Sequence, residues 1–310
     1  ELFAAGQEAP GNLKNICSHI IESRGKHIRP LLCLLAFRAC GGKGALPMDL
    51  ASTCELIHDA TLLHDDVIDE GDARRGIPTA RIRYSNSLSV LGGDYLLIKA
   101  VEKVASRDTV FMKSFLETMN CIVEGELAQL QLRGSIDTTE EQYFQIIQGK
   151  TASLFRWSVL SGALAAGAPN EDYKTAGKFG YHVGISFQLM DDALDFTADP
   201  AVLGKSLLAD IGEGKMTLPV ILAIKRSPSL KLMLHSLQVQ LNNNSYRQGN
   251  LIASQISHEV ISTGSVDTVK KFAAEHTEIG LAALKAVKSG NAETVEVISD
   301  LASALLERGF

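Results

Sequence analysis

Leu50, Cys54, Ile57 and Thr61 recur at steps of four, three and four, the spacing of one buried helical face. The apolar rhythm runs to Leu63 and then turns acidic, as Asp65-Asp66-Val-Ile-Asp69. Before it, Leu13 to Glu22 reads as a short amphipathic helix and Leu31 to Cys40 as a second, rich in Leu, Ala and Cys. After it, Ser87 to Lys103 and Phe111 to Leu132 are again helical. Gly92 and Gly93 in the first of these predict close helix packing. Thr138, three residues before Glu141, predicts a capped start to a helix that continues to about Ala166, where Gly167 and Pro169 stop it. Within it Gly149 costs about 1 kcal/mol relative to Ala, so a kink or a close approach is expected there. Asn170 opens a helix that ends in a second acidic run, Asp191-Asp192-Ala-Leu-Asp195. Ala198 to Pro219 is irregular, the length of a functional lid. From Val220 onward, helices alternate with polar turns such as Asn242-Asn243-Asn244. No stretch shows the alternation of a strand, and Arg74 to Thr79 reads as a loop. The pattern predicts an all-α protein; its length allows two domains, and a single helical domain over residues 1–310 also fits.

Composition narrows the function. A chain of 310 residues with 45% hydrophobic and 21% charged positions can bury a large core. A net charge of −6 offers no general attraction to nucleic acid or anionic lipid, so any phosphate site must be built from a few placed cations. Cys17, Cys33, Cys40, Cys54 and Cys121 are odd in number and lack paired zinc spacings, which points to reduced thiols in a cytoplasmic compartment. No apolar run is long enough to cross a bilayer.

The acidic runs carry the chemistry. At 3.6 residues per turn, Asp65 and Asp69 stack one above the other with Asp66 beside them. Like charges at that spacing repel, and aspartate is a poor helix former. The same spacing returns at Asp191, Asp192 and Asp195, again at the end of an apolar run. Six such carboxylates call for cations. Hard oxygen donors without His or Cys suit Mg²⁺, which is commonly shared with substrate phosphates.

Cations stand nearby in sequence. Arg24-Gly25-Lys26-His27-Ile28-Arg29-Pro30 is a basic loop entering a helix, which reads by itself either as a solvated loop or as an anion site at the helix start. Arg74 and Arg75 can grip two different phosphate groups. Lys150 and Thr151 follow Gly149 among apolar neighbours, so Lys150 needs a partner. Glu124, Glu126 and Gln129 read as polar residues at the edge of the interior rather than as ligands. Lys205 and Lys215 lie in the irregular stretch as further phosphate ligands.

From Arg24 to Pro219 these landmarks resemble, in order, the trans-polyprenyl diphosphate synthases. The basic loop is similar to that family's isopentenyl diphosphate loop, with His27 where an arginine is usual and Arg24 in place of the first glycine. The resemblance implies an isoprenoid-synthase helical bundle with its active-site cavity between helices. It implies two aspartate motifs that bind about three Mg²⁺ per site, with Asp65, Asp69 and Asp191 among the metal ligands. It implies isopentenyl diphosphate held by Lys26, Arg29, His58 and Arg75, an allylic diphosphate held by Arg74, and Lys205 and Lys215 as substrate-binding lysines of the lid. Lys150, Thr151 and Gln188 would present polar groups to the allylic cation, and a homodimer is the usual assembly. A terpene cyclase needs no second diphosphate site, and a silent partner subunit would have lost aspartates that this chain keeps. The product tail must grow down the helix that ends at Asp65. One turn there is about 5.4 Å, near the length of an isoprene unit. Thr61 and Ala60, four and five residues before Asp65, are small where short-chain members carry aromatics. This predicts a long-chain product of the kind attached to respiratory quinones.

Overall fold

A computed structural model describes residues 1–23, 25–74, 76–197, 209–242, 246–288 and 290–307. The described residues are helical almost throughout, as the periodicity predicts. In chain order come α1 (Leu2–Gln7), α2 (Leu13–Ile21), α3 (Ile28–Ala39), α4 (Met48–Ile68), α5 (Ala80–Arg83), α6 (Asn86–Ala105), α7 (Thr109–Gln131), α8 (Glu140–Ile147), α9 (Ser153–Ala165) and α10 (Asn170–Thr197). A short helix at Ala209–Gly212 follows, then helices at Leu218–Arg226, Leu230–Asn242, Tyr246–Ser262, Ser265–Lys285 and Ala292–Leu306. No helix among the described residues is long and apolar enough to cross a membrane.

Two local expectations need correction. The stretch after the first aspartates is a miniature antiparallel hairpin, with Ala73 paired to Pro78 and Arg74 to Ile77. Two-residue strands are too short to show any alternation in sequence. The capping box of α8 lies one residue later than expected. The Thr139 hydroxyl accepts from the Gln142 amide at 3.2 Å, and the Gln142 side chain accepts from the Thr139 amide at 2.9 Å.

The chain clusters into two compact units whose segments interleave along the sequence. The first comprises Glu1–Met119, Leu154–Tyr181 and Gly280–Asp300; the second comprises Asn120–Ser153, His182–Ile279 and Leu301–Phe310. The core of the first is built on α4, whose Leu50, Cys54, Leu56, Ile57, Ala60 and Leu63 are fully buried. α6 lies tightly against it because Gly92 and Gly93 have no side chains. A Cβ at Gly93 would sit 2.3 Å from the His64 ring, and one at Gly92 would sit 3.3 Å from Leu63. The contact is keyed by polar bonds too: Ser89 Oγ donates to the Leu63 carbonyl at 3.0 Å, and His64 Nε2 to the Val90 carbonyl at 3.1 Å. The end of α4, where the first aspartates begin, is thereby fixed on a rigid helix pair.

In the second unit, the expected flaw at Gly149 is a π-helical turn over Gln148–Ala152 between α8 and α9. Such turns are insertions of one residue into a helix and cluster at functional sites. Its cause is packing. A Cβ at Gly149 would meet the Cys121 carbonyl at 2.5 Å, and one at Gly125 would meet the Lys150 amide nitrogen at 2.6 Å. α7 and the π-turn therefore touch backbone to backbone, and Lys150 finds its partner in Glu126 of α7.

Candidate active site

In the first unit, the end of α4 presents Asp65 and Asp69 half-exposed and Asp66 buried. Arg74, on the hairpin, donates to Asp66 Oδ1 through Nε at 3.0 Å and Nη2 at 2.8 Å. Burial pushes the Asp66 carboxyl up from its ordinary value. The Arg74 guanidinium pulls against that shift, and Asp65 and Asp69 add to it. A buried carboxylate with a forked arginine partner is a structural anchor as much as a ligand.

The basic loop lies beside the same helix. Lys26 is exposed, and His27 caps α3 with a left-handed backbone (φ 46°). His27 Nδ1 lies 2.8 Å from Glu55 Oε1, a buried carboxylate on α4 one turn before His58. The departure from the usual arginine thus has a local partner that the motif gave no reason to suspect. Arg29, in the first turn of α3, stacks its guanidinium 4.6 Å over the buried Phe155 ring of α9. His58 is half-buried on α4, where Thr61 Oγ1 donates to its carbonyl at 2.8 Å. Ala60 is fully buried. Arg75 and Lys205 lie outside the described residues.

The second unit gathers Thr151, Gln188 and the second aspartates into one polar network. Thr151 Oγ1 donates to Gln188 Oε1 at 2.9 Å, and Gln188 Nε2 donates to Asp192 Oδ1 at 2.8 Å. Tyr143, from α8, donates its hydroxyl to Asp192 Oδ2 at 2.5 Å. Asp192 is only 2% exposed; burial, followed by the nearby charge of Asp210, raises its carboxyl well above the carboxylate range. Burial and the facing Asp192 likewise raise the Tyr143 phenol. Asp191, its neighbour in sequence, is exposed, whereas Asp195 is buried. Lys215 pairs with Glu213 at 2.7 Å, and its amide bonds the Asp210 carbonyl at 2.8 Å.

The two motifs thus share one arrangement. In each, the first aspartate is the more exposed, Asp65 in part and Asp191 more fully, and the middle one is buried and held by the protein's own donors. Their donor set is carboxylate oxygen throughout, which fits a hard divalent cation. Among the described residues no three His, Cys, Asp or Glu side chains form a ready-made metal cage.

Sequence reasoning missed Tyr143, Asp210 and Glu55 as site residues and set Glu126 aside. Need for a partner at Lys150 was the one signal that pointed towards Glu126.

Helices of this kind, carrying two aspartate motifs, define an all-α protein of the isoprenoid-synthase type. The sequence model of the polyprenyl synthetase family matches residues 10–279. An all-trans-nonaprenyl-diphosphate synthase (geranyl-diphosphate specific) from Rhodobacter capsulatus is 38% identical over 273 residues, 87% of this chain and 82% of its own. The octaprenyl diphosphate synthase of Escherichia coli K12 is 36% identical over 270 residues, 86% of this chain and 81% of its own. A polyprenyl synthase from Caulobacter crescentus CB15, solved with calcium and isoprenyl diphosphate, superposes with a TM-score of 0.90 at 30% identity, covering 100% of this chain and 93% of its own. The chain belongs to the polyprenyl synthetase family and is a prenyltransferase.

Proposed function

We propose that the protein is a Mg²⁺-dependent, chain-elongating enzyme that condenses isopentenyl diphosphate with an allylic diphosphate such as farnesyl or geranylgeranyl diphosphate. The product would be a long all-trans polyprenyl diphosphate for quinone side chains, made by residues 1–310 acting as one synthase domain. The observation that carries this reading is the shared arrangement of the two motifs, a more exposed first aspartate beside an anchored middle one. Asp65, Asp69 and Asp191 hold the metal. Bound Mg²⁺ supplies Lewis-acid stabilisation of a departing diphosphate. Arg74 grips the allylic diphosphate and the lysines at 205 and 215 bind substrate, while Lys26, Arg29, His58 and Arg75 hold isopentenyl diphosphate. The Thr151–Gln188 pair offers fixed oxygen dipoles to the positive charge that develops on the allylic carbon, and the nearby Lys150 ammonium has its charge balanced by Glu126. The double bond of isopentenyl diphosphate attacks that carbon, and a proton then leaves to the departed diphosphate.

The small side chains of Ala60 and Thr61 support a long product. Five cysteines without a disulfide support a reducing, cytoplasmic setting. We also read the protein as a homodimer. α6 and α7 offer candidate surfaces for it. α6 exposes Leu91, Ile98 and Val101, and α7 exposes Leu116, Val123, Leu127 and Leu130, each set at helical spacing along one face. Sedimentation at micromolar concentration should give twice the 33.4 kDa chain mass, and a lone 33.4 kDa species refutes the dimer. The reaction is tested by incubating the protein with Mg²⁺, labelled isopentenyl diphosphate and farnesyl diphosphate, then sizing the extracted lipid. Absence of labelled lipid refutes the reaction; a product stopping at the geranylgeranyl stage refutes the long chain alone.

A further inference from the structure

Tyr143 belongs to none of the motifs singled out in the sequence, yet its hydroxyl forms the buried end of a chain of bonds that runs from Tyr143 to Asp192, Gln188 and Thr151. Its ring is 4% exposed and packs edge-on against Phe144, 5.5 Å between centroids, a contact that a phenylalanine would make equally well. The hydroxyl's described bond goes to Asp192 Oδ2. With Gln188 on Oδ1, both oxygens of this aspartate face donors of the protein. We propose that Tyr143 is a positioning residue that fixes Asp192 as a strut, so that the adjacent Asp191 is presented in a set direction for metal while the far end of the strut fixes Thr151. The assignment rests on the reading of Asp191 as a metal ligand. It predicts that the hydroxyl acts on metal affinity through a side chain that does not itself take the metal. Partners of this kind in metal sites typically change affinity or activity by roughly 10- to 100-fold when removed.

Tyr143→Phe keeps the ring and deletes only the bond. The concentration of Mg²⁺ giving half-maximal turnover should rise and kcat should fall, each within that range, while KM for isopentenyl diphosphate stays at the wild-type value because Lys26 and Arg29 are untouched. A readout independent of turnover is the thermal midpoint, followed during Mg²⁺ titration in the presence of inorganic diphosphate; its curve should move to higher Mg²⁺. Added to Asp192→Asn, the same change should have no further effect, since the two residues act as one unit. A variant with a lower midpoint in metal-free buffer but an unchanged Mg²⁺ curve would mean that the hydroxyl only holds the fold, and the proposal would be wrong. Wild-type protein that binds Mg²⁺ and diphosphate yet makes no lipid would overturn the proposed reaction, while the thermal titration of Tyr143→Phe still decides the strut.

Discussion

Gly149→Ala tests whether the π-turn is a seat for Lys150 or a tolerated irregularity. The added methyl would lie 2.5 Å from the Cys121 carbonyl oxygen and 2.9 Å from the Gly125 Cα. Ordinary contact needs about 3.5–4.0 Å, so the turn must retreat from α7 by about 1 Å. Both obstructing atoms are backbone, and neither can rotate aside. Overpacking of this sort costs about 1–3 kcal/mol, against about 1 kcal/mol regained from the better helix propensity of Ala. Because the obstruction cannot yield, the net loss should be near the top of the remaining range, about 2 kcal/mol. The functional loss should be larger. Lys150 is tied to Glu126, and Thr151 to Gln188, so a shift of about 1 Å misplaces both, which is worth on the order of 100-fold in turnover. Urea unfolding gives the first number and steady-state kinetics the second. Gly212→Ala, where a Cβ meets nothing within 4 Å, is the control and should leave stability unchanged or slightly improved. A Gly149→Ala protein that gains stability and keeps its kcat refutes this account of the turn.

Asp65→Ala and Asp191→Ala should each lower turnover by several orders of magnitude with the helical circular dichroism intact; near-normal turnover in either removes it from the metal site. Ala60→Tyr should shorten the product towards fifteen or twenty carbons, as read by chromatography of the lipid, and an unchanged product excludes Ala60 from the path of the tail. His182 and His276 face each other with their Nδ1 atoms 3.0 Å apart, and burial lowers both pKa values from 6.5. The unfolded chain therefore takes up protons first as pH falls through 6.5, so stability is lost below that value until the folded pKa values are passed. His276→Asn should flatten this decline in urea midpoints measured above and below pH 6.5; an unaltered slope would show that the pair does not set it.

The helices and both aspartate motifs were legible because their signals are local. An apolar period and a run of acids lie within a few turns of one another, and Gly149 announced itself by its cost in a helix. What answered that cost was not legible: Gly125 lies on another helix, and nothing in its own surroundings marks it as the opposing surface. Tyr143 and Asp192 are 49 residues apart, and a tyrosine on the apolar face of α8 is indistinguishable in sequence from ordinary core. Glu55 was hidden in the same way, inside the apolar stretch of α4 and paired with a histidine 28 residues earlier. Sequence alone could state that Lys150 required a counterion, but several acids on α7 were eligible. The choice of Glu126 follows from the backbone contact that the two glycines permit.

The unequal burial of neighbouring aspartates bears on how such chains age. A duplicated copy relieved of catalysis can exchange Asp191 at small cost to its folding, since that side chain is exposed, and the half-exposed Asp65 at less cost than its buried neighbour. Asp192 has no such freedom. Replacing it by an apolar residue strands the Tyr143 hydroxyl in a closed interior, a desolvated donor worth about 1–3 kcal/mol, and takes a partner from the half-buried Gln188 amide. Decay should therefore erase the first letter of each motif well before the second. A relative that has lost only the first is a folded but silent chain, whereas one that has lost the second must have rebuilt its interior around the gap.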